Sequence, residues 1–274
     1  MIYLEFQFFF DDRNPIVDVF KQVLADIGFE AFQEGSTFFK AYIPQKLYNK
    51  QKFDLIYLKY DFLFSSFDIY EKPYENWNKK WESEFEIINI NDQCSIRASF
   101  HPPTNKKFDI IINPEMSFGT GHHETTRLMA KELFNHQLNE KSVLDFGSGT
   151  AILSIISAKL GAKYIDAVEI DNKVNDSALE NLKINNTLSI NLINGKGENI
   201  PEKKYDFILI NINRNTIVEE FEYFLKVVKN ESVLILSGFL YSDVNYISDF
   251  LKKSGLNILN SSKENDWVVL VVKK

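Results

Sequence analysis

Hydrophobic positions along the chain fall into two regimes. Residues 2–10 form an aromatic-rich run that reads as a strand. Asn14 and Pro15 then make a helix start, a capping side chain followed by a residue with fixed φ. Behind them Ile16, Val19, Phe20, Val23, Leu24 and Ile27 recur at the spacing of a buried helix face, and Gly28 supplies the stop. Residues 31–34 and 36–43 read as short strands about Gly35. Pro44 opens a second helix running to about Tyr60, and residues 63–71 read as a last strand, although 52–70 fits helix and strand alike. The order β-α-β-β-α-β is that of a ferredoxin-like α+β domain.

The second regime starts near residue 122. Helices are expected over 122–138, 151–160, 172–185, 215–227 and 242–254. Strands are expected over 142–146, 164–169, 189–194, 205–211 and 232–237. These strands are near-continuous Val/Ile/Leu runs, as in a parallel sheet covered on both faces. Two final apolar stretches, at Leu256 to Leu259 and Trp267 to Val272, lack a helix between them and predict an antiparallel hairpin. Between the regimes, Trp77 and Trp81 share one face of a predicted linker helix. Short strands are expected within 86–113. The expected division is 1–72, a small α+β domain; 73–85, a linker helix; and 86–274, the α/β domain.

Composition supports that division. Fourteen of the 24 Phe and seven of the 12 Tyr lie in residues 1–85. The net charge of −7 offers no general basic footprint for nucleic acid, so direct nucleic-acid binding is not expected and a basic partner is. The single cysteine, Cys94, excludes an internal disulfide and any CxxC metal site, which fits a cytoplasmic location and no metal. The apolar N-terminus lacks a basic start and carries Glu5, so it reads as a strand rather than a signal peptide. No apolar run reaches the ~20 residues that a membrane helix needs.

The candidate chemistry begins where the strand ending Asp145-Phe146 enters Gly147-Ser148-Gly149-Thr150-Ala151 and then a helix. The glycines permit positive φ and close approach of a ligand, at the strand edge where open α/β sheets bind one. Alone, this loop specifies only a nucleotide-type ligand, and a dinucleotide fold can start the same way. Three features narrow it. Glu169, 22 residues after Gly147, is placed to accept from ribose hydroxyls. Asp145 puts a carboxylate where a cationic ligand suits better than a pyrophosphate. The terminal hairpin is foreign to the common dinucleotide folds. Asp171, one residue past Ile170, reads as a helix cap.

These residues resemble the class I S-adenosylmethionine-dependent methyltransferases, and within them the ribosomal protein L-eleven methyltransferase (PrmA) family. The most specific part is Asn113-Pro114-Glu115-Met116-Ser117-Phe118-Gly119-Thr120-Gly121-His122-His123-Glu124-Thr125-Thr126, which is similar to the family's D-P-G-x-A-F-G-T-G-x-H-x-T-T segment. The resemblance implies a Rossmann-like seven-stranded sheet, with a smaller ferredoxin-like domain in front for substrate recognition. It implies S-adenosylmethionine as cofactor, held by Phe118, Gly119, Thr120, Thr126, Asp145, Gly147, Gly149, Glu169 and Asn211. Asn211 would also orient the attacking amine, with Asn213 as a weaker candidate. The implied substrate is lysine or N-terminal amines of a basic ribosomal protein, free or ribosome-associated.

The chain departs from the family pattern at Ala151, in place of a third loop glycine, and at Glu169, in place of Asp. It also departs at Asn211-Ile212-Asn213-Arg214. Packing against a strand needs only a small side chain at 151, which Ala151 supplies. His122 and His123 read as loop-packing and capping residues rather than metal ligands. Glu198 reads equally as an adenine-amine partner and as a solvated acid. Other class I substrates (another protein, RNA, a small molecule), a non-catalytic binding module and an NAD-dependent enzyme are the competing readings.

Overall fold

The computed structural model describes residues 2–10, 14, 16–73, 85–113 and 121–274. Its contacts divide into two compact units, Met1–Phe85 and Glu86–Lys274. The predicted linker helix with Trp77 and Trp81 falls outside the described residues, as do Phe118, Gly119 and Thr120.

In the first unit, strands β1 (Ile2–Phe9), β2 (Ala31–Glu34), β3 (Phe38–Pro44) and β4 (Ser66–Pro73) form one antiparallel sheet in the order β2-β3-β1-β4. Helices α1 (Ile16–Asp26) and α2 (Lys50–Tyr60) complete the ferredoxin-like order. Strand alternation sends Leu4, Phe6 and Phe8 into the core. The Phe8 ring stacks on Phe39 at 4.7 Å and Phe6 lies 4.8 Å from Phe53. The aromatic excess of the front of the chain is thus this unit's core.

Two expectations need correction here. Helix α1 buries Val17, Phe20 and Leu24, whereas Ile16 and Val19 are exposed. The run holds more apolar residues than one stripe can take, and the sheet selects the stripe through Phe20. Pro44 closes β3 instead of opening a helix. A 3₁₀ turn follows, and α2 starts only after Asn49, whose side chain accepts from Lys52 N at 3.1 Å.

The second unit begins with a small sheet of β5 (Ile88–Asn89), β6 (Cys94–Arg97) and β7 (Phe108–Ile111). Its main sheet has seven strands: β8 (Ser142–Phe146), β9 (Tyr164–Glu169), β10 (Asn191–Asn194), β11 (Tyr205–Asn211), β12 (Val228–Leu240), β13 (Asn257–Glu264) and β14 (Trp267–Lys273). They run in the order β10-β9-β8-β11-β12-β14-β13. The first five are parallel, and β14 runs antiparallel between β12 and β13. The helices are α3 (Glu124–Leu133), α4 (Ile152–Lys159), α5 (Asn172–Ile184), α6 (Arg214–Val227) and α7 (Val244–Lys253).

Each central strand feeds two cores. Val143 and Leu209 pack with α3 and α4, while Leu144 and Ile210 pack with α6 and α7. That is the physical reason for the unbroken apolar runs. Helix α3 is shorter than the expected 122–138, because His123 caps it and it ends at Leu133. Strand β12 is longer than expected, running from Val228 to Leu240. Among the described residues, no helix is long and apolar enough to cross a membrane.

Candidate functional site

The order of the parallel strands reverses between β8 and β11, and a cavity of about 640 Å³ opens at their C-terminal ends. Ligands of open α/β sheets bind at such a crevice. Its walls include Thr126, Gly147, Gly149, Glu169 and Asn211.

The loop after β8 forms the floor. Gly147 has φ +71, and a Cβ there would lie 2.3 Å from Ile212 Cγ2, so only glycine fits. Gly147 N and Ser148 N both donate to Val168 O, which binds the loop to the end of β9. Ala151 also has positive φ, +62, and is fully buried. The missing family glycine is therefore a conformational matter as well as one of size. Reading Ala151 as a packing residue alone was incomplete, because a left-handed Ala costs about 1 kcal/mol or more.

Glu169 ends β9 and faces this loop. Its Oε2 accepts from Gly149 N at 3.0 Å, and its Oε1 from Ile170 N at 2.9 Å and Asp171 N at 3.1 Å. A carboxylate offers about four acceptor positions, so one remains on Oε2. Asp171 caps α5 through Lys173 N at 2.8 Å, as expected.

Asp145 needs correction. It is 1% exposed and does not line the cavity. Its Oδ2 accepts from Ser154 N at 3.0 Å and Ser154 Oγ at 2.6 Å, which caps the first turn of α4 from the neighbouring strand. Burial pushes its carboxyl up to about 6, against the lowering by the Ser154 donors. The Asp145 carboxylate faces α4, not the cavity.

On the far wall, Asn211 ends β11 and donates from Nδ2 to Thr126 Oγ1 at 3.4 Å. Thr126 is 1% exposed on α3. Asn211 Oδ1 is buried and has no hydrogen-bond partner among the described residues. Ser148 Oγ, on the floor, is in the same condition. Unsatisfied buried polar atoms are costly, and these two lie where the cavity can supply a ligand or water as partner. Asn213 is not equivalent to Asn211. Its Oδ1 caps α6, accepting from Thr216 N at 3.0 Å and Thr216 Oγ1 at 3.1 Å.

Trp267, Arg127 and Glu264 were not singled out from the sequence as site residues, whereas His123 was, as a packing and capping residue. Trp267 and His123 meet edge to face with ring centroids 4.6 Å apart, and both line the cavity. His123 Nδ1 also accepts from Thr125 N at 3.3 Å, the expected capping role. Arg127 binds Glu264 on the terminal hairpin through Nε at 2.7 Å, and Asn265 Nδ2 donates to Glu124 at 2.9 Å. The hairpin tip thus holds the helix that carries Thr126. Nothing local in the sequence announces these pairs, which lie 137 and 141 residues apart. Gly238, with φ +94, was legible as an isolated glycine in a strand.

Glu198 is exposed on a 3₁₀ turn and does not line the cavity. Glu220 does line it, accepting from Gly197 N at 3.0 Å, because α6 folds over this edge. No metal-holding cluster of His, Cys, Asp or Glu occurs among the described residues.

A seven-stranded sheet of this order, with a glycine floor and an acidic strand end over its switch point, defines a Rossmann-like methyltransferase. The ribosomal protein L11 methyltransferase (PrmA) family matches residues 19–274 of the chain. A ribosomal protein L11 methyltransferase of Bacteroides fragilis is 36% identical, across 98% of this chain and 99% of that protein. One from Phocaeicola vulgatus is 33% identical, across 98% of each. A crystal structure of a ribosomal protein L11 methylase from Lactobacillus delbrueckii subsp. bulgaricus superposes with a TM-score of 0.64 at 24% identity. It covers 69% of this chain and 99% of that one, and shares the fold. The chain belongs to the ribosomal protein L11 methyltransferase family and is a methyltransferase.

Proposed function

We propose that the protein transfers methyl groups from S-adenosylmethionine to amine nitrogens, chiefly lysine side chains, of the large-subunit ribosomal protein L11. The observation that carries this reading is the buried Asn211 Oδ1 at the cavity wall, which has no hydrogen-bond partner among the described residues. An amine is a donor that such an oxygen needs. The curated relatives bear the name of that substrate.

The bound cofactor would supply a methyl group on a sulfonium; transfer breaks the S–C bond, leaves its electron pair on sulfur and forms the N–C bond. The chain's own residues bind and orient. The remaining acceptor position of Glu169 Oε2 suits a ribose hydroxyl, and the Gly147 floor lets the cofactor lie against the backbone. Asn211 Oδ1 accepts from the substrate amine, and the contact to Thr126 Oγ1 holds the amide at the cavity wall. A lysine ammonium, with a reference pKa of ~10.4, must first release a proton to solvent. The apolar walls at Ile152, Ile212 and Trp267 favour the neutral amine. Aligning amine and methyl carbon is the main catalytic contribution.

The small α+β domain expected over residues 1–72 would recognise the ribosomal protein, with 73–85 as linker and 86–274 as the catalytic part. Phe118, Gly119 and Thr120 would complete the cofactor site. The substrate can be engaged free or on the ribosome, and the cytoplasm is the expected location.

The test uses isotope-labelled S-adenosylmethionine with ribosomal proteins from a strain lacking this enzyme. Label on lysines of L11, read by mass spectrometry, is expected. Label on RNA alone, or on an unrelated protein, overturns the reading.

A further inference from the structure

A second, shallower depression of about 270 Å³ adjoins the cavity, and Asn213, Gly238 and Trp267 are walls of both. Resting on the methyl-transfer reading above, we infer that this groove holds the substrate main chain flanking the modified lysine, in extended form along the edge of β12.

The sheet register supplies the main argument. Strand β11 leaves β12 at the pair Asn211↔Ser237, yet β12 continues to Leu240. On its other edge β14 stays paired, through Phe239↔Val268 and Leu240↔Trp267. From Phe239 onward, the β11-side edge of β12 therefore has no strand partner among the described residues. An unpaired edge is a template for an added peptide strand, whose main-chain hydrogen bonds need no particular sequence. The groove lies along this edge, with Phe239 and Leu240 in its wall.

Its other walls fit a peptide. Leu240, 40% exposed, and Trp267 offer apolar surface beside the passage to the cavity. Asn215, on the opposite rim, presents an exposed side-chain amide. Arg214 is held by Asp243 at 2.7 Å, which fixes that rim. At Gly238 a Cβ would lie 2.2 Å from Ile212 O, so β12 and the loop after β11 touch backbone to backbone. This contact forms the boundary between groove and cavity. A lysine on the bound segment has a flexible four-carbon stem with which to cross that boundary to Asn211 Oδ1.

The test compares the full-length wild type with Leu240→Lys and Asn215→Arg, exposed positions on opposite walls. The acceptor is purified ribosomal protein L11, and cofactor affinity is measured separately by calorimetry. Expected is a rise in KM for the protein substrate of about tenfold in each variant, with kcat and cofactor Kd within about twofold, the signature of lost uniform binding. Wild-type transfer with unchanged KM in both variants overturns the groove assignment alone. A change in oligomeric state in place of the KM effect does so too, and gives the groove to a second copy of the chain. Cofactor affinity lost in both variants also overturns it, since the groove would then belong to the cofactor site. Absence of transfer by the wild type instead sinks the amine-methyltransferase reading.

Discussion

Asn211 Nδ2 donates to Thr126 Oγ1 at 3.4 Å, a contact between residues 85 apart in sequence. In this arrangement Asn211 Oδ1 is buried beside the cavity and has no hydrogen-bond partner among the described residues.

Removing that oxygen should act on chemistry. Asn211→Ala is expected to lower kcat by about 10²–10³-fold, the range for loss of one oriented polar group in an active site. Thr126→Val leaves the amide in place but unanchored and is expected to cost less. Single-turnover methyl transfer measures both. Equal, small effects on kcat from the two substitutions would contradict the orienting role.

Glu169 should govern cofactor affinity. Glu169→Ala removes the proposed ribose acceptor and leaves Gly149 N, Ile170 N and Asp171 N without their carboxylate. A hydrogen bond to a charged group contributes ~1.5–3 kcal/mol, so affinity should fall at least about tenfold. Calorimetry with S-adenosylmethionine reads this directly, and an unchanged Kd would remove Glu169 from the site.

Asp145 makes a pH prediction. Its folded pKa is raised from 3.8 to about 6, first by burial. Between these values the folded chain holds a proton that the unfolded chain has released. Stability from this group is complete below about pH 4 and is lost as pH rises through about 6, to an extent on the order of 3 kcal/mol. Asp145→Asn does not titrate. Its stability relative to wild type should therefore climb across that window and level off above it. Urea unfolding from pH 4 to 7.5 measures the difference, and a flat profile would show that Asp145 is not so shifted.

Two positions of the loop after β8, Gly147 and Ala151, should respond in opposite directions. Gly147→Ala drives a Cβ to 2.3 Å from Ile212 Cγ2 at a positive φ and should destabilise the fold and weaken cofactor binding. The left-handed term alone is about 1–2 kcal/mol. Ala151→Gly relieves that same term and gives up one buried methyl, worth about 0.8 kcal/mol. It should be neutral or stabilising by up to about 1 kcal/mol. Denaturant midpoints of the two variants give the comparison.

Much of this molecule was legible as a string. The apolar runs at 207–210 and 268–272 specify strands buried on both faces, since a strand covered on both sides leaves no polar alternation to confuse the period. The missing helix before Trp267 marked the terminal hairpin. Gly147 and Glu169 announced the site through local chemistry, a turn only glycine allows and an acid at a strand end.

What only the tertiary structure decided were contacts set by packing direction. The strand geometry that brings Glu169 to the cavity sends Asp145 to Ser154, and no spacing distinguishes the two carboxylates. Which stripe of α1 is buried, whether Asn211 or Asn213 keeps an uncommitted oxygen, and that Trp267 reaches the cavity all depend on elements far apart in sequence. The sequence determines elements because propensity and periodicity are local. The partners of a polar side chain are settled only when the sheet order brings distant strand ends together.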